Sequence, residues 1–102
     1  MNIPKKVKIG WKVYKVVKGD PENPKEPSLV IGGDMCYGTI TYDRHIISLN
    51  KNFSKKQQKA TLLHEMVHGI SEMYGFGMEE DFVESFSNAL FTVMEDNPGL
   101  FQ

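Results

Sequence analysis

The spacing of apolar and polar positions changes character once along the chain, near residue 54. Before that point the period is two. The stretch "VKIGWKVYKVVK" sets Val7, Ile9, Trp11 and Val13 at alternate positions, with Lys8, Lys12 and Lys15 among them. Alternation sends successive side chains to opposite faces of a strand, so this segment predicts a β-strand with one apolar face. "MCYGTITYD" and "HIISLNK" are rich in β-branched and aromatic residues, which pack well on a pleated surface. "YDRH", residues 42–45, reads as a tight turn that makes a hairpin of the two. Between the first strand and this hairpin lies "GDPENPKEPS", residues 19–28, which holds three of the five prolines. Proline removes a backbone donor and restricts φ, so the segment predicts a surface loop, too short to separate domains.

After residue 54 the period becomes helical. "SKKQ" fits a capping box, in which the Ser54 oxygen accepts the third backbone N–H and Gln57 reaches back. Leu63, Met66, Val67, Ile70 and Tyr74 then recur at steps of three and four, predicting an amphipathic helix of about 20 residues. "GFG", residues 75–77, stops it, because glycine tolerates the left-handed cap. A second helix follows, with Phe82, Val83, Phe86, Ala89, Leu90, Val93 and Met94 as its apolar stripe and "DNPG" as its end. Met66, Met73, Phe82, Phe86 and Met94 read as core packing, and Trp11 as a residue between sheet and helix. The expected fold is α+β: one domain over residues 1–102, a small three-stranded, mainly antiparallel sheet followed by two packed helices.

Composition narrows the function classes. Hydrophobic residues make up 40% of the chain, which suits a folded protein. The net charge of −1 argues against a general nucleic-acid binder. Lys5, Lys6 and Lys8, and again Lys55, Lys56 and Lys59, read as solvated surface. No apolar run reaches the ~18–20 residues of a membrane span. The opening "MNIPKKVKIG" lacks the apolar run of a secretory leader. Cys36 is the single cysteine, which excludes an internal disulfide and a cysteine-rich zinc site. It reads as a small half-buried residue, and a cytoplasmic location is expected.

The candidate chemistry lies in "TLLHEMVHGI". His64 and His68 are four apart, so on a helix both imidazoles project from one face and can reach one ion. Glu65 lies about 100° round the helix from His64, too far to share that ion but able to reach a water beside it. This is the logic of H-E-x-x-H: two nitrogen ligands and a carboxylate base. Taking His64 as zero, the apolar stripe centres about 90° to one side, which puts both histidines at the border of the core. Their near neighbours Ala60, Thr61 and Ser71 are small.

Zinc in a catalytic site takes a third protein ligand. His45, in the predicted turn, is one candidate. Glu72 is another, though three ligands from one straight helix close a tetrahedron poorly. "GMEEDFVESF" offers more, since its helix folds back beside the first. A hairpin symmetric about Phe76 sets Glu84 level with His68, whereas the helix wheel puts Glu80 nearer the first helix. Glu79 falls near the centre of the apolar stripe and suits an irregular first turn.

"HEMVH" followed by "EDFVE" resembles the gluzincin pattern, HExxH and then an acidic signature on a following helix. With "GTITYDRHIISLN" leading into "TLLHEMVHGI", residues 36–98 resemble the small ImmA/IrrE-type metallopeptidases of phage and bacteria. The resemblance implies a minimal zincin-like fold and a Zn2+ cofactor. It implies His64, His68 and Glu80 as metal ligands, Glu65 as catalytic base, and Glu84 as the acid that orients a histidine N–H. Glu84 and Ser87 stand where many larger relatives carry asparagine and alanine. The function it implies is a zinc-dependent peptidase acting on a protein or peptide substrate. The predicted strand "HIISLN" would be the edge that holds the substrate, and Tyr42, His45 or Tyr74 would steady the oxyanion. The rival expectation is a zinc-stabilised module that binds a host or regulatory protein without turnover. Oligomeric state is not specified by these patterns.

Overall fold

A computed structural model describes residues 2–23, 29–31 and 33–101. The second half of the predicted loop, residues 24–28, falls outside them. Among the described residues, six strands, two helices and a closing 3-10 turn follow in order: β1 Lys6–Ile9, β2 Lys12–Gly19, β3 Val30–Ile31, β4 Asp34–Met35, β5 Gly38–Thr41, β6 Ile46–Asn50, α1 Lys55–Tyr74, α2 Glu80–Asp96 and the turn Pro98–Phe101. The class is α+β as expected, with a sheet of four strands ordered β1-β2-β6-β5.

The additional strand arises at Gly10. The first alternating stretch folds back on itself there, pairing Ile9 with Lys12 in an antiparallel hairpin. Gly10 sits at φ +61°, a conformation that opens a two-residue turn and that other residues adopt at a cost. The turn shifts the alternation. Val7 and Ile9 face the core on β1, Tyr14 does so on β2, and Val16 packs against the same cluster. Val13 therefore points outward, and Trp11 lies at the turn, 71% exposed rather than packed between sheet and helix.

β2 pairs with β6 in parallel, from Lys15 opposite Ile46 to Gly19 opposite Asn50. β5 and β6 form the expected antiparallel hairpin across residues 42–45. Because β2 takes one side of β6 and β5 the other, "HIISLN" is a central strand, not an edge. Its burial agrees: Ile47, Ser48, Leu49 and Asn50 are all buried. β5 is the edge strand on that side.

α1 lies across one face of this sheet. Leu62 joins Ile9, Tyr14, Ile47 and Leu49 in the core, with Met66, Ile70 and Met73 packed at its border. Each large apolar side chain so buried contributes about 1.5–3 kcal/mol. The helix begins as the capping box requires on one side only. Ser54 Oγ accepts the Gln57 N–H at 3.1 Å, but the Gln57 side chain donates forward to Thr61 Oγ1, also at 3.1 Å. It ends at Gly75, φ +69°, where the N–H groups of Gly75 and Phe76 both reach the Ser71 carbonyl.

α2 packs on α1 through a narrower seam than its apolar stripe suggests. Val83 and Ser87 are buried, whereas Phe82, Phe86 and Val93 are 55%, 44% and 47% exposed. One neighbouring helix covers one face of α2, and the stripe spans more than that face. Phe82 and Phe86 instead stack on each other, with ring centroids 5.8 Å apart.

Candidate metal centre

The helical period of α1 brings His64 and His68 one turn apart, with ring centroids 4.9 Å from each other. Both Nε2 atoms point to a single carboxylate. Glu80 Oε1 lies 2.9 Å from His64 Nε2, and Glu80 Oε2 lies 2.7 Å from His68 Nε2. One donor atom from each of the three residues falls within 4.8 Å of the others. Two imidazoles and a carboxylate are a donor set that suits Zn2+.

The linking turn selects Glu80. The backbone N–H of Met78 donates to Ser71 Oγ at 2.9 Å, tying residues 75–79 back to the last turns of α1. α2 therefore starts beside His68, and its first residue is Glu80. Glu79 precedes the helix as its cap, in an extended conformation and exposed. The other candidate ligands are engaged elsewhere. Glu72 forms an ion pair with Lys12 at 2.9 Å. His45, in the left-handed region at φ +56°, packs its ring 5.6 Å from both Trp11 and Tyr14.

Glu84 does not hold a histidine N–H. Its carboxylate makes no hydrogen bond or ion pair among the described residues, and it lines the cleft beside the three donors. The group facing His64 Nδ1 is the Ser87 hydroxyl, at 3.4 Å. Helix phase explains the exchange. Ser87 lies about 20° from Glu80 toward the α1 seam, while Glu84 lies about 40° away on the open side. Ser87 is buried, and its hydroxyl also donates to the Glu84 carbonyl at 3.2 Å. That leaves an oxygen lone pair toward His64, which favours the proton on Nδ1 and the lone pair on Nε2. A lone pair so close to a carboxylate oxygen calls for an electropositive centre between them, a proton or a metal cation.

Glu65 lines the same cleft and is only 7% exposed. Burial, and then the nearby Glu80 charge, raise its carboxyl from 4.5 to about 7. It stands apart from the three-donor group. The cleft is open and encloses roughly 530 Å³. Ala60 and Thr61 form part of its wall, in keeping with their small size, and Gly38 of the edge strand faces them. A side chain at Gly38 would meet Thr61 Cγ2 at 2.6 Å and the Ser48 carbonyl at 2.7 Å, so strand and helix approach closely only because residue 38 is glycine.

None of the three residues considered for the oxyanion lines the cleft. Tyr74 is exposed and stacks on Phe76, and His45 lies in the ring cluster with Trp11 and Tyr14. Tyr42 is half-buried, and its phenol is raised mainly by burial and next by the charge of Glu65. Tyr37, Gln57 and Asn88 do line the cleft and supply neutral hydrogen-bonding groups there. No sequence pattern marks them, because none belongs to a motif. The one available signal for Tyr37 is its place immediately before the glycine that opens β5.

No family model matches the chain, and comparisons with curated proteins and with solved structures find no match.

Proposed function

We propose that this chain is a zinc-dependent peptidase of the ImmA/IrrE-like, gluzincin-like kind, acting on extended peptide or protein substrates in the cytoplasm. The observation that carries the reading is the convergence of His64, His68 and Glu80 beside a separate, buried Glu65. Among the described residues no fourth His, Cys, Asp or Glu joins the donor group. Three protein ligands leave a position open, which favours turnover over a closed structural site.

When bound by His64, His68 and Glu80, Zn2+ supplies Lewis acidity that polarises a carbonyl and acidifies water. Glu65 accepts a proton from water on a carboxylate oxygen and returns it to the departing amine nitrogen. Its burial on the cleft wall, next to the three donors, keeps that carboxylate close to the water it would deprotonate. Ser87 holds the His64 ring with Nε2 toward the cleft.

β5 provides the place for a peptide backbone. Asn50 donates its N–H to the Tyr37 carbonyl at 2.8 Å. By the alternation of antiparallel pairing, residues 37, 39 and 41 bond to β6, and the backbone groups of Gly38 and Ile40 face the free edge. A peptide added there would run past the donor group, held by main-chain hydrogen bonds.

The test is Glu65→Gln. The variant is expected to bind one zinc per chain and to lose peptide hydrolysis. Cleavage at the parental rate would rule out Glu65 as the base, and a parent that takes up no zinc would remove the proposal altogether.

A further inference from the structure

Glu84 is a charged side chain on the cleft wall without a partner. It is exposed, lies outside the three-donor group and makes no side-chain contact of its own charge among the described residues. The other two carboxylates in the cleft are committed: Glu80 faces the histidines and Glu65 is buried. Among the described residues the cleft lining contains no lysine or arginine. No basic residue follows His68 anywhere in the chain, so α2 cannot neutralise Glu84 from its own surface. With Glu80 turned to the histidines and Glu65 buried, the exposed negative charge on the cleft wall is that of Glu84.

Its position sets what it can reach. Glu80 and Glu84 are one helical turn apart, about 5–6 Å between their Cβ atoms. An extended peptide advances about 3.3 Å per residue. A peptide that passes the donor group alongside α2 would bring a side chain within two residues of the held bond level with Glu84. Lysine or arginine there would gain a charge-assisted hydrogen bond, arginine through two parallel N–H groups. Aspartate or glutamate would meet a like charge.

We propose that Glu84 selects peptides bearing lysine or arginine within two residues of the scissile bond. This rests on the peptidase reading for the bond cleaved, but not for the charge selection itself.

The experiment uses the full zinc-loaded chain and a random-sequence peptide mixture, with every cut site identified by mass spectrometry. Lysine and arginine are expected to be enriched, and aspartate and glutamate depleted, within two residues of the cuts. The contrast expected is on the order of tenfold, reduced by added salt because the pair is exposed. Glu84→Gln should retain one zinc per chain and lose the preference, and Glu84→Lys should reverse it. Cuts without charge preference, or a preference that survives Glu84→Gln, would overturn the inference. Binding provides an independent arm. Zinc-loaded Glu65→Gln is titrated with one fluorescent decapeptide series that differs only in Lys, Gln or Glu at the central positions. Tighter binding of the lysine peptide, lost when Glu84→Gln is added, supports the selection even where the parent cuts nothing, an outcome that would refute the peptidase reading alone. Equal binding of all three peptides by a chain that cuts nothing would overturn both.

Discussion

Glu80, the first residue of α2, places its two carboxylate oxygens 2.9 and 2.7 Å from Nε2 of His64 and His68 on α1. One side chain thus joins two helices that otherwise share a narrow seam around Val83 and Ser87. Metal content should follow from this contact. The parent is expected to hold one zinc per chain, with none retained by His64→Ala after dialysis against dilute chelator. Glu80→Ala should weaken binding by about 100-fold or more. Elemental analysis alongside a competition titration measures both. Full zinc retention by either variant would exclude the assigned ligand set.

Ser87 is expected to act on the metal through the imidazole. Ser87→Ala removes the oxygen 3.4 Å from His64 Nδ1 while keeping the small volume of a buried position. Zinc affinity should fall on the order of 10-fold, toward the lower end of effects for groups that orient a ligand. Folding stability should fall by only about 1 kcal/mol. Ser87→Thr retains the hydroxyl and should recover some of the affinity. An affinity unchanged by Ser87→Ala would show that the ring is oriented by packing alone.

The Glu65 carboxyl makes the metal-free protein sensitive to pH. Its value is raised from 4.5 in the unfolded chain to about 7 in the folded one. Below 4.5 both states carry the proton and the shift costs nothing. Between 4.5 and 7 the unfolded chain ionises while the folded chain keeps its proton, so the cost accumulates across that window and levels off above 7 at on the order of 3 kcal/mol. Glu65→Gln abolishes that cost. Urea melts of metal-free protein should find the variant more stable than the parent at pH 8, with the gap shrinking to under about 1 kcal/mol at pH 5. A gap that is constant with pH would mean that the carboxyl is not raised.

Gly38 is expected to be intolerant of even one methyl group. The Cβ of Gly38→Ala would fall 2.6 Å from Thr61 Cγ2 and 2.7 Å from the Ser48 carbonyl. Strand β5 or helix α1 must then shift, at about 1–3 kcal/mol. The melting temperature should drop by roughly 5 °C or more. Thr61→Ser in the same chain relieves the side-chain contact and should restore some of the loss. An unchanged melting temperature in Gly38→Ala would show that the two elements separate freely.

Much of this protein is determined by spacing within single segments. His64 and His68 are four residues apart on a helix started by Ser54 and stopped by Gly75, so the two imidazoles share a face whatever packs around them. The alternating residues before position 54 likewise commit the chain to strands. Tertiary structure decided the relations between segments. The hairpin at Gly10 turned Trp11 outward and added a strand, and the parallel pairing of β2 with β6 moved the free edge to β5. The tie from Met78 to Ser71 began α2 at Glu80, giving that residue the histidines, Ser87 the Nδ1 contact, and Glu84 the open wall. Local backbone geometry sets directions within a turn or a strand. Which side chains from distant segments meet depends on how whole elements pack, and that is a property of the complete fold.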